Sequence, residues 1–317
     1  MDALSEVLGA IQLDGAVYLD AEFTAPWCVE AQYGLPKETQ LLAGADHIAF
    51  FHFLMAGGCK ARLAEGGETL ELQAGDFVLF PHDHRHLLGS DLKLPPVVAD
   101  DLPRKAYSDS YLIQHGGGGE ATHFVCGYLA CDRRISQSLF NSLPQMLRIP
   151  IGRDPGMAWL LELLRVGVSE SQAERPGARS LLAKLSELIF VEAMRRHAAT
   201  LPEEQRGWLA GLRDPHVGKA LALLHSDTAR AWTVDELARE VALSRSALGQ
   251  RFTDLIGEPP MQYLTRWRLA LAARALRSGP ESIGRIAERF GYESEAAFNR
   301  AFKREFGSPP ASWRRQA

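Results

Sequence analysis

LSRSALGQRFTDLIGEPPMQYL (243–264) and ESEAAFNRAFKREFGSPPASWR (293–314) decide how this chain is read, because the second is a reworked copy of the first. Ser244, Leu248, Phe252, Ile256, Gly257, Pro259, Pro260 and Tyr263 return as Ser294, Phe298, Phe302, Phe306, Gly307, Pro309, Pro310 and Trp313, an offset of 50 residues. Just upstream Leu237, Ala238 and Val241 return as Ile286, Ala287 and Phe290 at an offset of 49, so one residue has been inserted near the turn. Apolar residues four apart behind a serine describe an amphipathic helix with its N-cap. Each unit therefore predicts a short helix with an alanine where a crossing helix comes close, a tight turn through Ala242-Leu243 or Gly291-Tyr292, and a second helix. That is the grammar of a helix-turn-helix, whose second helix enters the DNA major groove.

On the first reading helix, SRSALGQRF (244–252), the outer face offers Arg245, Ser246, Gly249 and Gln250; on the second, SEAAFNRAFKREF (294–306), it offers Glu295, Ala296, Asn299, Arg300 and Lys303. Arginine can bond guanine bidentately, glutamine and asparagine suit adenine, and a serine at a helix start, here Ser244 or Ser294, can hold a phosphate. Between the units, QYLTRWRLALAARALRSG (262–279) predicts one long helix with Leu264, Trp267, Leu271 and Leu276 inward and Arg266, Arg268, Arg274 and Arg277 partly outward. A rigid connector of that length can set two reading helices about one DNA turn, roughly 34 Å, apart.

The charge distribution agrees with a polyanion-binding tail. Residues 214–317 hold 16 Lys and Arg against 12 Asp and Glu, whereas residues 1–213 hold 19 against 27. A length of 317 residues at 46% hydrophobic and 23% charged predicts a folded protein of two domains. The longest apolar run, Leu181 to Val191, is broken by Lys184, Ser186 and Glu187, so no membrane span is expected. MDALSEVLGAIQLDG at the start carries acidic residues before any basic one and does not read as a signal peptide; a cytoplasmic location is expected. Four cysteines without a CxxC spacing predict reduced thiols.

The first 130 or so residues read as strands: AVYLDAEF (16–23), HIAFFHFLMAG (47–57), CKARLAEGGETLEL (59–72) and DFVLFP (76–81), with Tyr111–Gln114 and His123–Leu129 as a last pair. Glycine-rich turns separate them at the spacing of a β-sandwich or barrel. The proline-bearing segment 90–109 reads as a loop across the barrel mouth. From Pro155 the period becomes helical, with Trp159, Leu160, Leu163 and Leu164 in one helix, Leu181, Leu185, Leu188 and Ile189 in another, and 169–179 as the loop between. The expected division is an α+β chain: a sensor domain over 1–150, a helical linker or dimerisation region over 151–212, and an all-α domain over 213–317.

In these residues the C-terminal region resembles the DNA-binding domain of the AraC/XylS family of transcription regulators, through LSRSALGQRFTDLIGEPPMQYLTRWRLALAARAL and IAERFGYESEAAFNRAFKREFGSPPASWRR. The N-terminal half is similar to the cupin-type sensor domain of one branch of that family, through MDALSEVL, HFLMAG, AGDFVLFPHDHRH and GGGGEATHFVCG. The resemblance implies base or phosphate contacts by Arg245, Ser246, Gln250 and Arg251 and by Glu295, Asn299, Arg300 and Lys303. It implies core positions for Leu248, Phe252, Phe298 and Phe302. The implied function is a sequence-specific, non-enzymatic regulator of transcription that binds double-stranded DNA, with RNA polymerase and a second copy of the chain as candidate partners.

PHDHRH (81–86) sets His82, His84 and His86 at alternate positions, which on extended backbone would point to one side. His52 lies in the alternation Phe50, His52, Leu54, and Cys126 in Phe124, Cys126, Tyr128. In a cupin-like barrel His52, His86 and Cys126 can converge inside, a donor set suited to zinc, or to iron or nickel with a carboxylate or water added; His82 and His84 are alternates. The first cupin motif usually carries HxH followed by Glu, and here only His52 remains. A thiolate beside histidine would have a lowered pKa and invite oxidation, with Cys28 as a candidate partner. The effector is thus expected to be a small molecule, a metal or an oxidant. The competing expectation is a metal-dependent cupin enzyme whose C-terminal helices serve only as an interaction module.

Overall fold

The computed structural model describes residues 3–11, 13–32, 45–107, 110–202 and 204–315. Two compact units interleave along the chain: one is Leu13–Cys131 with Leu143–His197, the other is Met1–Gln12, Asp132–Ser142 and Ala198–Ala317. The division cuts across the expected 1–150, 151–212 and 213–317. Residues 132–142 leave the N-terminal half to join the helical unit, and most of the expected linker belongs with the sheets.

In the sheet unit, β1 (Asp14–Thr24), β3 (His47–Ala56), β6 (Phe77–Phe80), β9 (Lys105–Tyr107), β10 (Ser110–Gly116), β11 (Ala121–Cys131) and β12 (Leu147–Ile149) form one sheet in the order β12-β6-β3-β11-β1-β10-β9. The second sheet, β5-β4-β7-β2-β8, comprises β2 (Cys28–Ala31), β4 (Gly58–Leu63), β5 (Leu70–Gln73), β7 (His86–Gly89) and β8 (Val97–Val98). These are two sheets facing one core, not a closed barrel. Phe50, Leu54, Phe80 and Phe124 of the larger sheet meet Val29, Ala61, Leu72 and Leu88 of the smaller. Burying each such large side chain contributes on the order of 2 kcal/mol.

The expected mouth loop, 90–109, instead supplies two short edge strands, β8 and β9, which pair with β2 and β10; residues 108 and 109 lie outside those described. Two- and three-residue strands carry no readable alternation, so proline is the stronger local signal in this segment. Two helices complete this unit, α3 (Ala158–Gln172) and α4 (Ala178–Thr200), and they shorten the expected 169–179 loop to five residues, 173–177. Gly15 explains how closely α4 lies on β1: a Cβ there would stand 2.9 Å from the Ala183 carbonyl oxygen and 3.0 Å from Ser186 Cβ. Gln172 at the end of α3 donates 2.5 Å to Asp20 of β1.

The helical unit contains α1 (Ala3–Ala10), α2 (Arg133–Phe140), α5 (Trp208–Arg213), α6 (Pro215–Ser226), α7 (Val234–Glu240), α8 (Arg245–Ile256), α9 (Pro260–Ser278), α10 (Ile283–Arg289), α11 (Glu295–Phe306) and α12 (Pro310–Arg315). Its duplication is visible bond by bond. Ser244 Oγ accepts from Ala247 N and Ser294 Oγ from Ala297 N, both at 3.2 Å. Leu243 N donates to the Ala238 carbonyl and Tyr292 N to that of Ala287, both at 2.9 Å. Gly257 (φ 90°) and Gly307 (φ 73°) end α8 and α11 in the left-handed conformation that glycine adopts without steric cost. Pro260 and Pro310 then open α9 and α12 at the helical position where a missing N–H costs nothing.

Candidate nucleic-acid interface and sensor cavity

The two reading helices, α8 and α11, bury the residues the repeat assigns to the core: Leu248 and Phe252 in one, Phe298 and Phe302 in the other. Ala238 and Ala287 are buried at the points where the supporting helices α7 and α10 are crossed. On the opposite faces Arg245, Ser246, Gln250 and Arg251 are exposed on α8, as are Glu295, Arg300 and Lys303 on α11, with Asn299 half-buried. Ser244 and Ser294 stand exposed just ahead of their helices.

The two faces differ electrostatically. Arg245 pairs with Asp235 of α7 at 3.2 Å, and Gln250 donates to Asp254 at 2.8 Å. Arg251 reaches Asp214 at 2.5 Å. That carboxylate also caps α6 by accepting from His216 N and Val217 N. Arg251 is thus a brace between α8 and α6. On α11, the side chains of Arg300 and Lys303 make no hydrogen bond or ion pair within the chain among the described residues, leaving two solvated cations on the second face.

The four arginines of the connector α9 turn inward to backbone and carboxylate partners. Arg266 bonds Glu258 and, at 2.8 Å, Ser138 Oγ of α2; Arg268 donates at 2.6 Å to the carbonyls of Thr228 and Arg230. Arg274 donates to the Ala10 carbonyl of α1, and Arg277 lies 3.6 Å from Asp132 and 4.5 Å above the Trp313 ring. Their outward component in the sequence reading is therefore small. Helical periodicity could not foresee it, because α1 and α2 supply part of the surface they face.

The second site lies between the sheets. His52 on β3 and Cys126 on β11 are register partners, and His52 Nδ1 is 2.8 Å from Cys126 Sγ. Across the core, His52 Nε2 is 2.7 Å from His86 Nε2 of β7, and His86 Nδ1 is 2.8 Å from the His84 carbonyl oxygen. The three residues named from the sequence meet, and all are buried. His82 and His84 do not join them. Asp83 takes a left-handed conformation (φ 52°), which breaks the expected alternation and leaves His82 exposed and His84 half-buried.

The donors follow from the geometry. A carbonyl can only accept, so His86 Nδ1 carries a proton, and burial holds the His86 pKa down to about 4. In the neutral ring Nε2 is bare and accepts from His52 Nε2–H. Burial, and then the neighbouring His86, hold His52 well below the usual histidine range, so its Nδ1 is bare and accepts from the Cys126 thiol. Burial, reinforced by Asp20, pushes that thiol well above the ordinary cysteine range. This direction is opposite to the lowered pKa expected of a reactive thiolate. Among the described residues no disulfide forms, and all four cysteines are buried, Cys28 among them.

This linear chain does not suit a metal. His52 directs its two nitrogens at two different partners, so the three donor atoms do not face one point, and the 2.7 Å between the two ring nitrogens is a hydrogen-bond length. Among the described residues no group of three or more His, Cys, Asp and Glu side chains could hold a metal ion.

Cys126 and His52 form part of the wall of a cavity of about 390 Å³. Leu19, Ala21, Ile113 and Phe124 continue the wall on the larger sheet, and Val29 and Leu88 on the smaller. Phe23 and Trp27 stack at 4.5 Å, each edge-on to Phe124 at 6.0 and 5.8 Å. Exposed Gln32, Asp100, Arg104 and Tyr111 also line it, as do Ala31, Phe50 and Ala99. Strand alternation points to His52 and Cys126 but not to Phe23 and Trp27, which lie on either side of Pro26, where no alternation continues.

A duplicated helix-turn-helix, in one chain with a two-sheet domain, defines a DNA-binding regulator. The cupin family model matches residues 2–199, and a helix-turn-helix domain model matches residues 237–316. A protein described as an AraC-like transcription regulator, from Streptomyces lividans, is 35% identical over 86% of this chain and 88% of its own length. The HTH-type transcriptional regulator AlkR of Acinetobacter baylyi is 28% identical over the full length of both chains. The RCS-specific HTH-type transcriptional activator RclR of Escherichia coli is 28% identical over 99% of this chain and 97% of its own. The chain belongs to the AraC-type transcription regulators that carry an N-terminal cupin domain. Among the described residues no helix is long and apolar enough to cross a membrane.

Proposed function

We propose that this regulator senses a small organic molecule in the cavity between its sheets and acts on double-stranded DNA through α8 and α11, without catalysing a reaction. The observation that carries the sensor reading is the cavity of about 390 Å³ with Cys126 and His52 in its wall. A metal effector is disfavoured by the linear His86–His52–Cys126 chain, and an oxidant acting on Cys126 by the suppressed thiolate. Arg300, Lys303 and Asn299 on α11, with Arg245, Ser246 and Gln250 on α8, are assigned to bases and phosphates. Ser244, Ser294 and Glu295 at the helix starts border the DNA, while Arg251 acts chiefly as a brace.

Pairing with a second copy is supported by exposed Trp159, Leu163 and Val166 on α3 and Leu188 on α4. Large side chains at i, i+4 and i+7 form an apolar stripe of the kind helices bury against one another. Selection of duplexes from a random pool by the full chain tests the regulator reading. The expected yield is a bipartite site with its two segments about 10 bp apart. Recovery of duplexes without any common sequence would overturn it.

A further inference from the structure

Most polar atoms around the cavity are already engaged; the buried exception is Trp27 Nε1, an uncharged N–H donor with no hydrogen-bond partner among the described residues. His52 uses both nitrogens, His86 uses both nitrogens, and the Cys126 proton is given to His52. Asp20, the buried carboxylate next to Leu19 in sequence, is taken by His123 and Gln172. Among the exposed lining residues, Asp100 and Arg104 form an ion pair with each other. An ion seated in the buried part of this space, against Leu19, Ala21, Ile113 and Phe124, would lose its water without gaining a counter-charge, a cost of several kcal/mol. The lining thus selects for a neutral occupant.

The wall also has a shape. Phe23 and Trp27 are nearly parallel, stacked at an interplanar angle of 19°, and Phe124 stands at 69° and 83° to them. Together they form an aromatic corner that offers ring faces on one side and a ring edge on the other. Planar π-systems pair with both, by offset stacking and edge-to-face contact. A volume of about 390 Å³ lies near the lower end of small-ligand sites, which run from about 300 to 1,000 Å³.

We propose that the cavity binds an uncharged, planar aromatic molecule of two or three fused rings, seated in the Phe23–Trp27–Phe124 corner. The proposal rests on the small-molecule sensor reading above and names its ligand class. Cys126 Sγ, with its proton committed to His52, presents lone pairs to a hydroxyl or N–H on the ring system. The ligand is recognised by shape and by the absence of charge.

The test is isothermal titration calorimetry on the full chain with 2-naphthol, 2-naphthoate and decan-1-ol at pH 7.5. Ala21→Phe and Ile113→Phe serve as two independent cavity-filling variants, and retained DNA binding shows that each is folded. The expected result is saturable 2-naphthol binding, about tenfold or more weaker for 2-naphthoate and for decan-1-ol, and lost in a filled variant that still binds DNA. Tighter binding of 2-naphthoate or decan-1-ol, abolished by filling, overturns the ligand class while the sensor cavity stands. Binding of 2-naphthol that survives both fillings, or no binding of any of the three, overturns the proposal and the cavity reading together.

Discussion

Arg134 of α2 lays its guanidinium over the Trp313 ring of α12, 4.6 Å from the centroid, while Arg277 of α9 covers the same ring at 4.5 Å. Trp313 closes the second helix-turn-helix, packed with Phe302, so a helix that follows β11 directly in the chain is part of the DNA-binding unit. Asp132, one residue beyond that strand, both caps α2 by accepting from Arg134 N and faces Arg277. The strand that carries Cys126 therefore runs, without a break in the chain, into a helix packed on the connector between the two reading helices.

Removing that contact should weaken the helical unit. Arg134→Ala in the full chain is expected to lose about 1 kcal/mol, the order of a partly shielded cation–π contact. Urea unfolding followed by tryptophan fluorescence measures it. An unchanged midpoint would mean that α2 rests on Trp313 without stabilising it.

The two turns test the duplication. Ala242 sits at φ 56° where its counterpart Gly291 sits at φ 77°, so the first unit bears a left-handed strain that the second avoids. Ala242→Gly should stabilise by about 0.5–1 kcal/mol, the left-handed cost less the extra chain entropy of glycine. Gly291→Ala should destabilise by about 1–3 kcal/mol, because its Cβ would fall 2.4 Å from the Ala229 carbonyl oxygen. Thermal melts of the two variants should move in opposite directions, and movement in the same direction would contradict the assignment of equivalent turns.

What was legible in the sequence was what local chemistry writes. Ser244 and Ser294, Gly257 and Gly307, and Pro260 and Pro310 each specify a cap or a bend within a few residues, so the helix boundaries could be read closely. His52 and Cys126 were legible through strand alternation. His86 is legible only through the expectation that strands converge inside a cupin-like fold, since Asp83 breaks the alternation over 82–86; it reaches the site because β7 pairs with β4 and β2. The interleaving of the units was not legible. It depends on α2 meeting α9 and α12 and on Gly15 admitting α4, contacts between residues more than a hundred positions apart that leave no periodic trace.

Acid should destabilise the protein through its neutral histidines. His225 is buried beside Trp267, at 4.5 Å between ring centroids, and burial lowers its pKa to about 3. The unfolded chain takes up this proton near pH 6.5 and the folded one does not until about 3. The stabilising contribution is therefore complete above the unfolded pKa and is lost as pH falls through that window, by up to about 1.4 kcal/mol per pH unit. His86, held near 4, has the same sign. His123 has the opposite one: its hydrogen bond to Asp20 raises its pKa, so its contribution is present at low pH and fades as pH rises through the folded pKa. Urea midpoints at pH 7.5, 6 and 5 should fall steadily in the wild type and less steeply in His225→Phe. Equal slopes would remove His225 from this account.

The His86–His52–Cys126 chain predicts a graded response to substitution. Cys126→Ser keeps a hydroxyl that can donate to His52 Nδ1 and should cost under about 1 kcal/mol. His52→Leu leaves the Cys126 thiol and His86 Nε2 buried without their partner and should cost about 1–3 kcal/mol. Excess zinc should leave the melting temperature of the wild type unchanged, since the donors do not face one point. A zinc-dependent rise that Cys126→Ser abolishes would restore the metal site.

The unequal charge on the two reading helices leads to the last expectation. Arg300 and Lys303 stand as solvated cations on α11, whereas Arg245 on α8 is paired with Asp235. Each phosphate neutralised by a cation adds about 0.9 to the slope of log affinity against log salt. Arg300→Ala should therefore weaken DNA binding, flattening the salt slope by about one unit if it contacts phosphate, or relaxing preference at one base pair with little change in slope if it contacts a base. Asp235→Ala should act the other way, releasing Arg245 for the DNA at almost no cost in stability, because an exposed ion pair contributes about 0–1 kcal/mol. Fluorescence anisotropy on a selected duplex across a salt series measures both. If Arg300→Ala leaves affinity, slope and base preference untouched, α11 does not face DNA through Arg300, and the solvated cations of the second unit serve only solubility.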